Sequence, residues 1–310
     1  MSTRTQRWYA PLYQLGKQWQ LTLMLVPLVV LVLLFLYVPM GFLVIAFKDY
    51  NIGKGVWDSP WVGWGQFEKI FTYSDITRLI RNSLVISFLT LISGFAGPIV
   101  LALLFNEMRG GKFRKLVQTV SYLPHFFPWT IIAGMILMFF SIDGVVNGLL
   151  ESWGSSRPVQ FLTDHVHFIQ LLVASNLWKE IGWGTIIYIA AIAGINPSLY
   201  EAAVVDGAGR YQRMRYVTIP GMRPAIGISL IFAAGSLMSV NFDQIYNLYN
   251  PQVYEWADVI DTYVVRAGVL QMQYSQTAAI GLFKGLVGLV LIVLSNWLVR
   301  RATDNEYSLF

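Results

Sequence analysis

Between Lys17 and Lys48 the sequence carries no charged residue, and Leu21 to Phe47 is almost continuously apolar. A hydrocarbon core about 30 Å thick is crossed by a helix of about 20 mostly apolar residues. This run is long enough to cross, and the pattern recurs at Leu84 to Phe105, Leu123 to Phe140, Phe168 to Ala193, Pro224 to Val240 and Thr277 to Val299. Only 13% of the 310 residues are charged, against about a quarter in soluble domains. Barrel strands would alternate over about ten residues, whereas these runs are unbroken and longer. The expected fold class is therefore an all-α polytopic membrane protein with six spanning helices. Pro27 and Pro39 are expected to bend the first span. Gly94 and Gly97 give another helix room to approach the second, and Pro124 and Pro128 break the start of the third.

Charge sets the expected orientation. Residues 1–20, 106–115, 194–223 and 300–310 hold thirteen basic and five acidic residues, a net +8. The alternate intervals, 48–81, 141–167 and 241–276, hold seven basic and eleven acidic residues, a net −4. Basic loops stay cytoplasmic, so both termini are expected inside. The overall +5 thus reads as topology rather than as a nucleic-acid surface. The predicted organisation is a cytoplasmic N-terminal segment (1–20), one membrane domain (21–299) and a cytoplasmic tail (300–310). Leu12 to Trp19 reads either as a short interfacial helix or as disordered chain, and Met1 to Arg7 is too polar to order. The first run lacks a small-residue cleavage site and is too long for a signal peptide, so it is expected to stay uncleaved.

The sequence has no Cys and three His, which excludes disulfides and leaves no metal-ligand constellation. No metal and no cofactor are expected in this chain. No G-x-x-x-x-G-K-[ST] occurs, so it lacks the phosphate loop needed to hydrolyse ATP by itself.

A few polar residues interrupt the apolar pattern. Lys179 and Glu180 fall inside the fourth span, where each charge costs about 2.5–3.5 kcal/mol. Neighbours on a helix point about 100° apart, so each is expected to need its own partner. Pairing with another helix or subunit, a place at the outer membrane edge beside Trp178 and Trp183, and contact with a polar substrate all fit. Lys284 in the sixth span raises the same choices, with snorkelling to the membrane surface as a further one. After the fifth span, Asn241, Asp243, Gln244 and Asn247 alternate with Tyr246 and Tyr249. Amides, a carboxylate and aromatic rings suit a polyhydroxylated ligand, and equally an ordinary membrane edge. Lys179, Glu180, Asn241, Asp243, Gln244, Tyr246 and Lys284 are the candidate substrate path.

The interval 195–224 has the densest local signals. Pro197 and Ser198 suit a helix start, with Glu201 at capping-box spacing from Ser198. Small Ala202 and Ala203 leave room for another surface. Asp206-Gly207 is a helix stop. A second short basic helix follows from Ala208 to Val217, ended by Pro220 and Pro224. Two capped short helices make a stiff elbow, either a self-contained amphipathic surface or a docking site for a partner.

Glu201, Ala202, Ala203, Asp206, Gly207 and Ala208, with Pro220 after a hydrophobic residue, resemble the EAA motif of permease subunits in bacterial binding-protein-dependent ABC importers. An aromatic residue often stands where this chain has Met214. The stretches W-V-G-W-G-Q-F (61–67), L-V-Q-T-V-S-Y-L-P-H-F (116–126) and Y-E-W-A-D-V-I-D-T-Y-V (254–264) are similar to the LplB-like branch of MalF-type carbohydrate permeases. The resemblance implies a six-helix type I, MetI-like transmembrane domain that moves oligosaccharides inward by alternating access. It implies a second homologous permease, two ATPase subunits carrying ATP and Mg, a solute-binding protein outside, and a setting of membrane lipid in the bacterial inner membrane. The seven motif residues would couple the loop to an ATPase. A non-sugar cargo, or less readily a secondary transporter, is the alternative; the latter would need a coupling-ion site and gives the loop no task.

Overall fold

The structure, a computed structural model, describes residues 19–72, 75–108, 110–235, 237 and 241–302. The expectations for Met1–Arg7, for residues 12–18 and for residues 303–310 of the tail lie outside the described residues, as does the end of the fifth run, residues 238–240.

Helix α1 runs, within the described residues, as Trp19–Val32, a π stretch Leu33–Tyr37, Val38–Gly41 and a 3-10 turn Phe42–Phe47. Then follow α2 (Gly65–Thr72), α3 (Ile76–Glu107), α4 (Gly111–Tyr122), α5 (Trp129–Phe140), α6 (Val145–Ser152) and α7 (His165–Ala193). Next come α8 (Pro197–Val205), α9 (Arg210–Gly221), α10 (Arg223–Gly235) and α11 (Phe242–Leu248). Helix α12 is Ile260–Tyr263, continued as a π stretch Val264–Leu270, and α13 is Tyr274–Ala302. Among the described residues the only strand-like pairing is one isolated bridge, Lys48 to Trp61.

Four helical stretches are long and apolar enough to cross a membrane: Thr22–Phe47, Ile76–Glu107, Trp129–Ser152 and Tyr274–Leu298. Two bent pairs, α7 with α8 (71°) and α9 with α10 (59°), bring the number to six if each is one span. The protein is an all-α, multi-pass membrane protein. The third stretch continues past Phe140, where the apolar run was expected to end. After the turn at 141–144 the residues Val145, Val146, Leu149 and Leu150 restore an apolar helix.

Pro27, expected to bend the first span, sits inside the continuous helix Trp19–Val32, whereas Pro39 and Pro220 share another form. Pro39 follows the π stretch Leu33–Tyr37, and Pro220 follows the π stretch Met214–Thr218. A proline ring clashes with the carbonyl four residues back and leaves that carbonyl without its donor. One widened turn ahead of the ring shifts that register, and the helix continues. Pro220 therefore does not end α9; the break falls at Met222, between α9 and α10.

The chain divides into two compact units, Met1–Ile70 with Gln273–Leu282 and Phe71–Met272 with Phe283–Phe310. In the first unit most apolar side chains between Leu23 and Phe42 are exposed, Met24 at 76% and Phe35 at 72%. A face this apolar suits lipid or another membrane helix rather than water. Where the chain leaves α1, Lys48 is buried and its Nζ donates to the carbonyls of Val56 and Trp57, 2.8 and 2.9 Å away. Phe47 packs against Trp61 and Trp64.

The second unit is built on α3 and α7. A Cβ on Gly97 would come within 2.6 Å of Leu177, and one on Gly184 within 2.7 Å of the Pro98 ring. Small residues on each helix thus admit the other. Gly94 has open space beside it instead. Ile86, Ile132, Ile136, Phe168, Leu172 and Ile245 form the core around this pair. Asp164 starts α7 by accepting from the backbone N–H groups of Val166 and His167, and the His167 N–H holds its carboxyl below the usual range.

Candidate functional site

The 195–224 loop is closed by local chemistry. Asn196 caps α8 by accepting from the Ser198 N–H at 3.0 Å, with Pro197 in the first turn. The expected Ser198–Glu201 box does not form. The Asn196 side chain already takes the exposed donor, so Glu201 is left exposed and outside the cap. At the other end Gly207 has φ +76°, Gly207 N donates to Val204 O (3.0 Å) and Ala208 N to Ala203 O (2.8 Å). These two bonds are the Schellman cap, in which the residue after the helix takes a left-handed conformation. Asp206, Gly207 and Ala208 thus fill three consecutive positions of one helix stop, and Gly207 is the one where a side chain is strained.

The second half of the loop is tied back to the first. The Tyr200 hydroxyl meets Thr218 Oγ1 at 2.9 Å. A Cβ on Gly221 would lie 2.5 Å from Ile195. Met222 is fully buried among Ala102, Tyr188 and Ala225. The base is packed, while Leu199, Ala202 and Val205 leave an apolar strip of α8 exposed.

Of the residues expected along a substrate path, most are engaged in the fold. Lys179 is 6% exposed and its Nζ donates to the His125 carbonyl at 2.6 Å. That carbonyl belongs to the break between α4 and α5, where Pro124 and Pro128 interrupt the helix and free backbone acceptors that lipid could not satisfy. Glu180 Oε2 meets His125 Nδ1 at 2.7 Å, and the His125 ring stacks on Trp183. Lys179 and Glu180 were expected to find separate partners; instead both reach the same break, and their heads come within 3.3 Å of each other. Lys284 pairs with Asp261. Gln244 is buried and its amide donates to Leu172 O and Ser175 Oγ, at 2.7 and 2.9 Å. Tyr246 stacks on Phe242, and the Asp243 carbonyl accepts from Asn247.

Replacing Lys179 by Met is expected to lower the thermal unfolding midpoint of the purified protein by several degrees. The orphaned carbonyl costs about 1–3 kcal/mol. Glu180→Gln, which can still bond His125, should melt near wild type. An unchanged midpoint in K179M would show that the break is held by other means.

Asn241 alone of the expected path residues lines a cavity of about 320 Å³. The rest of its polar lining, Ser87, Thr90, Asn176, Tyr188 and Ser229, belongs to no motif in the sequence. Ser87 Oγ and Asn176 Nδ2 are buried there and meet no partner among the described residues. Buried polar groups are nearly always bonded, so these two mark an unmet hydrogen-bonding demand in the cavity wall. The signal available was Asn176 in mid-span, overshadowed by the two charges three and four residues later.

The family described as "Binding-protein-dependent transport system inner membrane component" matches residues 94–303. The chain belongs to this family. Protein LplB of Bacillus subtilis is 41% identical to the permease over 282 residues, 91% of this chain and 88% of that one. The polygalacturonan/rhamnogalacturonan transport system permease protein YteP, also of Bacillus subtilis, is 41% identical over 291 residues, covering 94% and 90%. The crystal structure of a bacterial ABC transporter involved in the import of the acidic polysaccharide alginate contains a chain that matches with a TM-score of 0.87. Identity is 41%, over 95% of this permease and 99% of that chain. The permease is thus a transport subunit of the carbohydrate ABC-importer class and has no catalytic role of its own. Among the described residues no group of three or more potential ligands could hold a metal ion.

Proposed function

We propose that the permease forms one half of an oligosaccharide pore in the bacterial inner membrane, driven through the 195–224 loop by a separate ATPase. In this reading it has six spans between residues 21 and 299, both termini lie inside, and residues 1–20 and 300–310 are cytoplasmic. A second homologous permease completes the pore, two ATPase subunits bind ATP and Mg, and a solute-binding protein delivers cargo from outside. The observation that carries the reading is the loop itself: a helix capped at both ends, braced at its base, with Glu201, Ala202, Asp206 and Gly207 and an apolar strip exposed. Glu201, Ala202, Ala203, Asp206, Gly207, Ala208 and Pro220 form or position the surface that meets the motor. When nucleotide moves the motor, a rigid loop passes the motion to α7 and α10, which it joins.

The cargo path runs past the cavity between α3, α7 and α10. Asn241, Asn176, Ser87 and Thr90 offer hydroxyl and amide partners, and no charged residue lines it. That chemistry suits sugar hydroxyls. Gln244, bonded to Leu172 O and Ser175 Oγ, steadies α7 next to Asn176, while Lys179, Glu180, Asp243, Tyr246 and Lys284 are taken as part of the path only outside this lining. The relatives named for polygalacturonan, rhamnogalacturonan and alginate make uronate-containing oligosaccharides the first cargo to try.

The deciding experiment reconstitutes the four-subunit complex with its binding protein and measures ATPase rate across neutral and acidic oligosaccharides. A several-fold rise with one class is expected; no rise with any of them would defeat the reading. Asn176→Leu should cut uptake of the stimulating sugar several-fold without lowering the melting temperature, because the lost amide nitrogen had no partner to miss. Undiminished uptake would remove Asn176 from the path.

A further inference from the structure

A second cavity, of about 560 Å³, lies beside the C-terminal ends of α3 and α7 and under the loop. Its lining has two characters. Ala102, Ile189, Ile192 and Ala193 form an apolar wall. Arg114 from α4 and Arg210 and Arg213 from α9 form a cationic one, with Tyr200 and Asn106 between. Glu107 is the single carboxylate in the lining, and none of the three arginines forms an ion pair among the described residues. Arg114 Nε and Arg213 Nε are buried without an acceptor among the described residues. Three guanidinium groups against one carboxylate leave an excess of two positive charges, and donors held out of water without acceptors are costly. The cavity is built for an anion that this part of the chain does not supply.

Its position says which anion. Helix α4 carries Lys112 and Lys115 beside exposed Phe113, Leu116 and Val120, at 60%, 61% and 61%. Apolar residues three and four apart form one face, and a basic helix with such a face suits the boundary between headgroups and acyl chains. Basic pockets between helix ends at the cytoplasmic surface take lipid headgroups, and guanidinium groups grip phosphate oxygens in pairs.

We propose that this cavity binds the phosphate of an anionic phospholipid. The lipid joins Arg114 on α4 to Arg210 and Arg213 in the loop, so that membrane composition sets how firmly the loop is braced and how well ATPase rate follows cargo. The proposal rests on the cytoplasmic placement of the loop. It concerns a lipid site separate from the sugar path.

The wild-type complex, reconstituted in phosphatidylcholine discs with a graded fraction of phosphatidylglycerol, should gain several-fold in cargo-stimulated ATPase as the anionic fraction rises. Native mass spectrometry of the same complex should find phosphatidylglycerol retained in preference to phosphatidylcholine. Arg114→Gln and Arg213→Gln should each lose that retention, and Arg114→Lys should keep part of it. A parallel arm adds inorganic phosphate to pure phosphatidylcholine discs. Stimulation by phosphate alone would overturn the lipid assignment. Normal cargo stimulation with neither retention nor lipid dependence would end the proposal while leaving the importer reading intact. Loss of cargo stimulation in every lipid would instead count against the importer reading.

Discussion

Gly207→Pro is expected to bring cargo-stimulated ATPase activity down to the unstimulated level while the permease still inserts in the membrane. Gly207 sits at φ +76°, and proline is locked near −65°. Proline also removes the Gly207 N–H that donates to Val204 O at 3.0 Å. With the turn forced open, the companion bond from Ala208 N to Ala203 O has no geometry to form in. The last turn of α8 then frays, and with it the surface carrying Ala202, Ala203 and Asp206. Gly207→Ala separates the two effects. Open space surrounds the position where a Cβ would stand, so alanine meets only the left-handed backbone penalty of about 1–2 kcal/mol and keeps the N–H. Its stimulation should fall between wild type and G207P. Reconstituted complexes with matched protein content would supply the rates. Full stimulation in G207P would mean that the loop transmits nothing through its capped helix.

The contrast between these two substitutions also explains what could be read in advance. A helix stop at Asp206-Gly207 is local chemistry, decided by a few adjacent residues, and the sequence states it directly. The apolar runs are equally direct, because crossing lipid demands length and hydrophobicity together. Partnerships at long range are another matter. Lys179 and Glu180 announce themselves as anomalies, but their answer lies some 55 residues earlier in the Leu123–Pro128 break. Only folding brings the freed His125 carbonyl to them. The cap at Asn196 was hidden for the opposite reason: Ser198 and Glu201 offered a familiar spacing, and the residue that won was the one placed just before Pro197. Ser87 carries no signal, because serine in a span is unremarkable until a cavity forms beside it, and Asn176 carries a faint one, masked by Lys179 and Glu180.

The stretch 254–264 carries a further expected result, and the largest on stability. Asp258 is fully buried, and Arg266 reaches it with two nitrogens, Nη1 to Oδ1 at 3.0 Å and Nη2 to Oδ2 at 2.5 Å. Thr262 Oγ1 donates to the same carboxylate at 2.8 Å, and the Asp258 bond keeps the Arg266 guanidinium firmly charged, above its already high ordinary value. The backbone here is latched to α3: Asn82 Nδ2 donates to the carbonyls of Glu255 and Asp258, and Ser83 Oγ accepts from Ile260 N–H. Arg266→Met would strand a buried carboxylate beside that latch. Removing one member of a buried pair typically costs about 3–5 kcal/mol, enough to unfold a marginal membrane protein during purification. The double replacement Asp258→Leu with Arg266→Met removes both charges and should recover most of the loss, since an apolar pair of similar volume often matches an ion pair. Thermal unfolding of the detergent-solubilised protein, measured for wild type, both single variants and the double, closes the cycle. A double variant no more stable than R266M would mean that the region depends on the charges themselves, and that its polar latch to α3 cannot form around an apolar filling.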